Sequence, residues 1–152
     1  MGIPVTNPQT IRAAMYNLIE AITPTYLDMR DSKWSRTNPG EDPSGPTIRR
    51  FRILNGIARE TFDGIHGGGG IGMNFDMTIR VAYGGLEPDK AEELISEDFH
   101  DLRLLIHPLT DGGTTDGLLP MQSDPDFDYF EDDDGYLVAD FTFEIHYKGR
   151  EE

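Results

Sequence analysis

"IGMNFDMTIRVAY", residues 71–83, is the stretch whose reading decides the fold. Ile71, Met73, Phe75, Met77, Ile79, Val81 and Tyr83 alternate with Gly72, Asn74, Asp76, Thr78, Arg80 and Ala82. Side chains of a strand point to opposite faces in turn, so this period of two predicts a half-buried strand. "YLVADFTFEIHYK", residues 136–148, repeats the pattern, with Leu137, Ala139, Phe141, Phe143, Ile145 and Tyr147 against Val138, Asp140, Thr142, Glu144, His146 and Lys148. Two such strands predict a sheet with one apolar face, which other elements must cover.

Working outward, two segments carry helical spacing. Asn7-Pro8 opens the first, since Asn can accept an orphan N–H at the cap and proline fits the first helical position. Ile11, Met15, Leu18, Ile19 and Ile22 then form one stripe that Pro24 ends. Glu87-Pro88-Asp89 opens the second, with acid favouring the exposed N–H groups of the first turn. Its stripe runs through Ala91, Leu94, Ile95, Asp98/Phe99, Leu102, Leu105 and Ile106 to Pro108.

Further strand signals flank these. In "TIRRFRILNGIARETF", residues 47–62, Phe51, Ile53 and Ile57 fall on one side and Arg50 and Arg52 on the other, with a bend or bulge at Asn55-Gly56. "MQSDPDFDYFE", residues 121–131, reads as an edge strand because Pro125 cannot donate to a ladder, and "EDDDG" turns it into the closing strand. The expected architecture is α+β: an antiparallel or mixed sheet of about four main strands, two helices packed on one face, and long hairpin loops. The length of 152 residues predicts one domain over 1–152, with a polar loop at 25–46 that contains the sole tryptophan, Trp34.

Composition narrows the function classes. There are 28 acidic against 13 basic residues, a net charge of −15 that repels nucleic acid phosphates and anionic lipid. The bias toward Asp, with lysine only at Lys33, Lys90 and Lys148, fits either a protein kept soluble in high salt or a GC-rich genome. No apolar run reaches the roughly 20 residues of a membrane helix, and no basic-then-apolar leader opens the chain, which reads as soluble and unexported. The absence of cysteine excludes disulfides, a thiol nucleophile and Cys-ligated zinc.

No motif supplies a catalytic constellation, and no cofactor or metal is implied. The run Gly67, Gly68, Gly69, Gly70 after His66 is followed by strand period rather than a helix, and lacks the Lys and Ser/Thr of a phosphate loop; it reads as a hairpin tip that orders against a partner. Asp124, Asp126 and Asp128 match the opening of a calcium loop, but Tyr129 occupies the glycine position, and Glu131 to Asp134 reads as a solvated turn. His66, His100, His107 and His146 show no ligand spacing, and no serine has a nucleophile-elbow context. What stands out is basic: Arg49, Arg50, Arg52 and Arg59 in a strongly acidic chain. They form either surface pairs with the molecule's own carboxylates or a contact with an acidic face of a neighbouring copy. With Trp34, His66 and the glycines they are the expected subunit or partner interface.

The layout of N-terminal helix, glycine-tipped hairpin, "EPDKAEELISEDFHDLRLLIHPL" and "DYFEDDDGYLVADFTFEIHYKGRE" resembles the tail terminator proteins of long-tailed phages and related archaeal viruses, most strongly from Ile71 onward. "MTIRVAYGG" before an acidic helix with a Leu/Ile-rich end, and a last strand ending in "HYKGRE", carry the likeness. The Trp34-bearing loop departs from the short connections of that layout. The resemblance implies a structural virion protein, assembled in the host cytoplasm. It would form a six-membered ring that caps the last ring of tail tube protein, stops its polymerisation and faces the head–tail connector or head-closure protein, with DNA only passing through the lumen. Another neck, head–tail joining or tail-tube subunit is the alternative reading, and an acidic cation-binding module a further one.

Overall fold

The computed structural model of the protein describes residues 6–22, 34–37, 48–66, 70–110, 118–119 and 123–150, with side chains left out at 48, 61–66, 70–71, 109–110 and 150. In chain order the elements are α1 (Pro8–Glu20), β1 (Ser35–Arg36), β2 (Ile48–Asn55), β3 (Arg59–His66), β4 (Gly70–Tyr83), α2 (Pro88–Thr110), β5 (Leu118–Leu119), β6 (Asp126–Glu131) and β7 (Leu137–Arg150). The fold is α+β, with two helices and one mixed sheet of seven strands among the described residues.

Two long strands form the spine. β4 and β7 pair antiparallel without a break from Gly70 opposite Arg150 to Tyr83 opposite Leu137. β2 and β3 share the other side of β4, at its C-terminal and N-terminal halves respectively, while β6 and β5 divide the other side of β7. The alternation read in the sequence is the reason: Phe75, Met77, Ile79, Val81 and Tyr83 of β4 and Leu137, Ala139, Phe141, Phe143, Ile145 and Tyr147 of β7 are all buried on one face. At about 25 cal/mol per Å2 of apolar surface removed from water, that continuous layer is the main source of stability.

α2 lies over this layer. Its Phe99 ring stacks on Phe141 with centroids 6.0 Å apart, and meets Phe127 of β6 at 4.7 Å. α1 begins as the sequence implies, with Asn7 Oδ1 accepting from the Thr10 N–H at 2.9 Å. Its Ile11, Met15 and Ile19 join the core, but the helix stands at the margin of β2. There Tyr16 Oη accepts from the Ile53 N–H at 2.9 Å and the Pro8 carbonyl from Asn55 Nδ2 at 3.1 Å.

Several expectations need correction. The sheet has seven strands rather than about four, because β1, β5 and the separate β3 add to the long ones. The helices do not share one face in the simple layered sense, since α1 closes an edge while α2 covers the middle. β2 ends at Asn55, and Ile57, expected beside Phe51 and Ile53, is 87% exposed. The chain turns out there because the Gly56 N–H binds the Asp76 carbonyl at 2.8 Å, a close approach at which even a Cβ would sit 3.3 Å from that oxygen. α2 runs past Pro108 to Thr110. The 25–46 segment contributes β1, parallel to β2 through Ser35 opposite Arg50 and Arg36 opposite Phe51.

Candidate functional site

The basic strand divides. β2 carries an irregularity between Ile48 and Arg50, where Arg49 adopts a positive φ of 56°. Arg49 lies inside, at 1% exposure, where Nε binds Asp98 Oδ2 and Nη2 binds Asp98 Oδ1, each at 2.7 Å. Tyr83 Oη donates to the same Oδ2 at 2.8 Å, so the buried carboxylate of α2 is held by β2 and β4 together. Burial holds the Asp98 carboxyl above its ordinary value against the opposing pull of Arg49, and burial with the neighbouring Asp98 charge pushes the Tyr83 hydroxyl well above the ordinary tyrosine value. Trp34 is also inside, 3% exposed, edge-on to Phe51 and 5.7 Å from the Arg49 guanidinium carbon. Arg49 and Trp34, both expected at a subunit interface, are therefore interior groups of the folded chain.

Arg50 and Arg52 take the face of the sheet opposite α2, where the cross-strand register builds a charge pattern. One row runs Arg52, Arg80, Asp140, Asp128 across β2, β4, β7 and β6. The next runs Leu54, Thr78, Thr142, Asp126, and the one on the other side Arg50, Ala82, Val138, Phe130. Within these three rows basic groups stand on the β2–β4 side and acidic groups on the β7–β6 side, while in the row beyond Thr78 and Thr142 the exposed Asp76 of β4 faces Glu144 of β7. Arg80 and Asp140 meet at the divide in a bidentate pair of 2.8 and 3.0 Å. The Arg80 guanidinium also lies 5.4 Å from the centroid of Phe130, which is 45% exposed. Arg59 opens β3 on this same face, opposite Asn74, whose Oδ1 accepts from Arg59 Nε at 3.3 Å.

Side chains and backbone cap part of the β6 and β2 edges of this face. On β6 the outward N–H groups of Phe127 and Tyr129 are taken by the carboxylates just before them, Asp126 Oδ1 and Asp128 Oδ1, each at 2.8 Å. On β2 the Tyr16 hydroxyl takes the Ile53 N–H, and Thr37 donates its N–H to the Phe51 carbonyl at 2.8 Å. Edge strands left open template aggregation, and these side chains remove the template.

The glycine run lies between paired antiparallel strands, with His66 opposite Gly70. A strand follows it, so no helix N-terminus is present there to cradle a phosphate. Gly67, Gly68 and Gly69 lie outside the described residues, as does the His66 side chain. Among the acidic positions, Asp132 Oδ1 accepts from the N–H groups of Asp134 and Tyr136 and so shapes the β6–β7 turn, where Gly135 has φ 83°. Among the described residues no three metal-ligating side chains converge, and no helix is long and apolar enough to cross a membrane. His146 is buried, with Nε2 2.6 Å from Glu144 Oε1. A groove of about 600 Å3 runs between α2 and the segment before β6, with His100, Arg103 and His107 on one wall, Asp124 and Pro125 on the other, and Phe143 among its lining residues.

The acidic half of the face, with Asp126, Asp128, Phe130 and Asp140, is what the sequence reading passed over. The signal was available in parity: on "DFDYFE" and "LVADFTFE" the even-numbered residues share one face, as they do on "MNFDMTIRVA". Comparison with family models, curated proteins and solved structures finds no match to this chain.

Proposed function

We propose that the chain is a non-enzymatic structural subunit of a tailed virus, which closes into a ring that caps the tail tube and meets the head connector. Self-association is the part of this reading with physical support in the fold. The observation that carries it is the set of three rows across the outer sheet face, basic at the β2–β4 end and acidic at the β7–β6 end. Such a face is complementary to a second copy of itself, and contacts that join the acidic end of one copy to the basic end of the next without reciprocating are head-to-tail and close into rings when the rotation permits. The tail-terminator role itself rests on the resemblance in layout, and the net charge of −15 suits a lumen through which DNA slides without sticking.

The test is native mass spectrometry with negative-stain imaging of the purified chain in about 1 M salt, where a Debye length of about 3 Å quenches long-range self-repulsion but spares pairs in contact. A closed six-fold ring with a DNA-wide hole is the expected result. A chain that stays monomeric and does not bind tail tubes when mixed with them overturns the reading.

A further inference from the structure

We infer that the acidic half of the outer face, centred on Asp126, Asp128 and Phe130, docks against the basic half of a second copy, centred on Arg50 and Arg52. The contact is made by side chains and involves no strand pairing. This rests on the self-assembly reading above and gives it a surface.

Strands are about 4.8 Å apart, so Arg52 and Asp128, at the two ends of one four-strand row, are about 14 Å apart. That exceeds the Debye length of about 8 Å at physiological salt, so the two ends do not neutralise one another within a copy. The inner pair, Arg80 and Asp140, is matched internally at 2.8 Å, and the outermost members of the row stand at its two ends. A guanidinium has five N–H donors, so Arg50 and Arg52 keep capacity for a second carboxylate alongside the interactions they make within their own copy.

Phe130 gives the patch an apolar centre. It lies on the outer face beside Val138, exposed by 45%, with Asp128 next to it along the strand. An aromatic ring ringed by charge is the composition of a contact centre with a polar rim. Strand addition at these two patches is opposed by the same side chains, because Asp126 and Asp128 occupy the N–H groups of Phe127 and Tyr129 on β6 and Tyr16 that of Ile53 on β2. The acidic residues thus have two tasks, closing the edge and presenting charge beyond it.

Charge reversal separates the outcomes. Arg50→Glu with Arg52→Glu makes both halves acidic, while Asp126→Lys with Asp128→Lys makes both basic; lysines on an edge strand also guard it against aggregation. Like charges brought together cost several kcal/mol, so each reversed chain should associate at least about 100-fold more weakly than wild type in sedimentation or native mass spectrometry. Mixed in equal amounts, the two should restore association, because each then offers the other its complement, and the restored species should hold equal numbers of both chains. Circular dichroism establishes that both reversed chains are folded. Reversed chains that assemble like wild type, or a mixture of folded chains that stays monomeric, overturn the contact even where wild type forms rings. Rescue on mixing into dimers or open chains supports the contact and overturns the ring. A wild-type chain that is monomeric at millimolar concentration overturns the contact, and if it also fails to bind tail tubes it overturns the ring.

Discussion

Arg49 and Asp98 are joined by two hydrogen bonds of 2.7 Å in the interior, linking the start of β2 to the middle of α2. The pair holds Arg49 in the left-handed region, a conformation that costs an ordinary residue about 1–2 kcal/mol. Removing either partner strands the other charge away from water. Arg49→Met and Asp98→Asn are each expected to lower stability by about 3–5 kcal/mol, read from urea unfolding, while Arg49→Met with Asp98→Leu recovers most of the loss. Single variants within about 1 kcal/mol of wild type would show that something else anchors α2.

Tyr83 links this pair to alkaline pH. Its folded value is raised well above 10.0, so its neutral form is favoured in the native state and its contribution is complete below that pH, then lost as pH rises through the folded value. Urea titrations from about pH 9 to about pH 11 should show wild-type stability falling by about 1.4 kcal/mol in total more than that of Tyr83→Phe, most of it above pH 10. The variant should itself cost about 1–3 kcal/mol at neutral pH, because Asp98 loses a donor. Parallel slopes would remove Tyr83 from the alkaline transition.

Trp34 is the single tryptophan and is 3% exposed. Its fluorescence should be blue-shifted relative to the unfolded chain and resist quenching by acrylamide. An Arg49→Met chain that still folds should show a changed yield, since the guanidinium leaves the ring. A red, easily quenched native spectrum would contradict the packing of Trp34 against Phe51.

The edge caps of β6 depend on side-chain length. Asp126→Glu with Asp128→Glu keeps the charge but misplaces each carboxylate relative to the following N–H. That chain is expected to unfold with nearly the same midpoint as wild type yet aggregate sooner in concentrated solution, followed by light scattering. Equal aggregation kinetics would show that charge alone protects this edge.

Much of the frame was legible in the sequence. The period-two runs of β4 and β7 mark their buried faces residue by residue, and Asn7, Pro8 and Pro88 mark the helix starts. The two-residue strands β1 and β5 were not legible, because their pairing is decided by neighbours distant in sequence and not by any local pattern. Arg49 was misread as a surface group, although its parity with Phe51 and Ile53 placed it on the core side. Asp98 carried the matching signal, an acid within the apolar stripe of a helix, which calls for a buried cation. Ile57 followed the parity of β2 past the point where Gly56 binds Asp76 and the strand has ended.

The unbroken β4–β7 ladder also sets an order of events in making the protein. Between Tyr83 and its partner Leu137 come all of α2, β5 and β6, so β4 leaves the ribosome well before the strand that completes it. The β6–β7 hairpin, closed by the short Asp132 turn, can form locally in microseconds, whereas the central ladder must wait for a long loop to close. During that wait β4 exposes Phe75, Met77 and Ile79 along an edge that no carboxylate caps. The period of greatest risk for this chain is therefore its synthesis, and the long strand at the heart of the finished sheet is the segment a chaperone would have to shield.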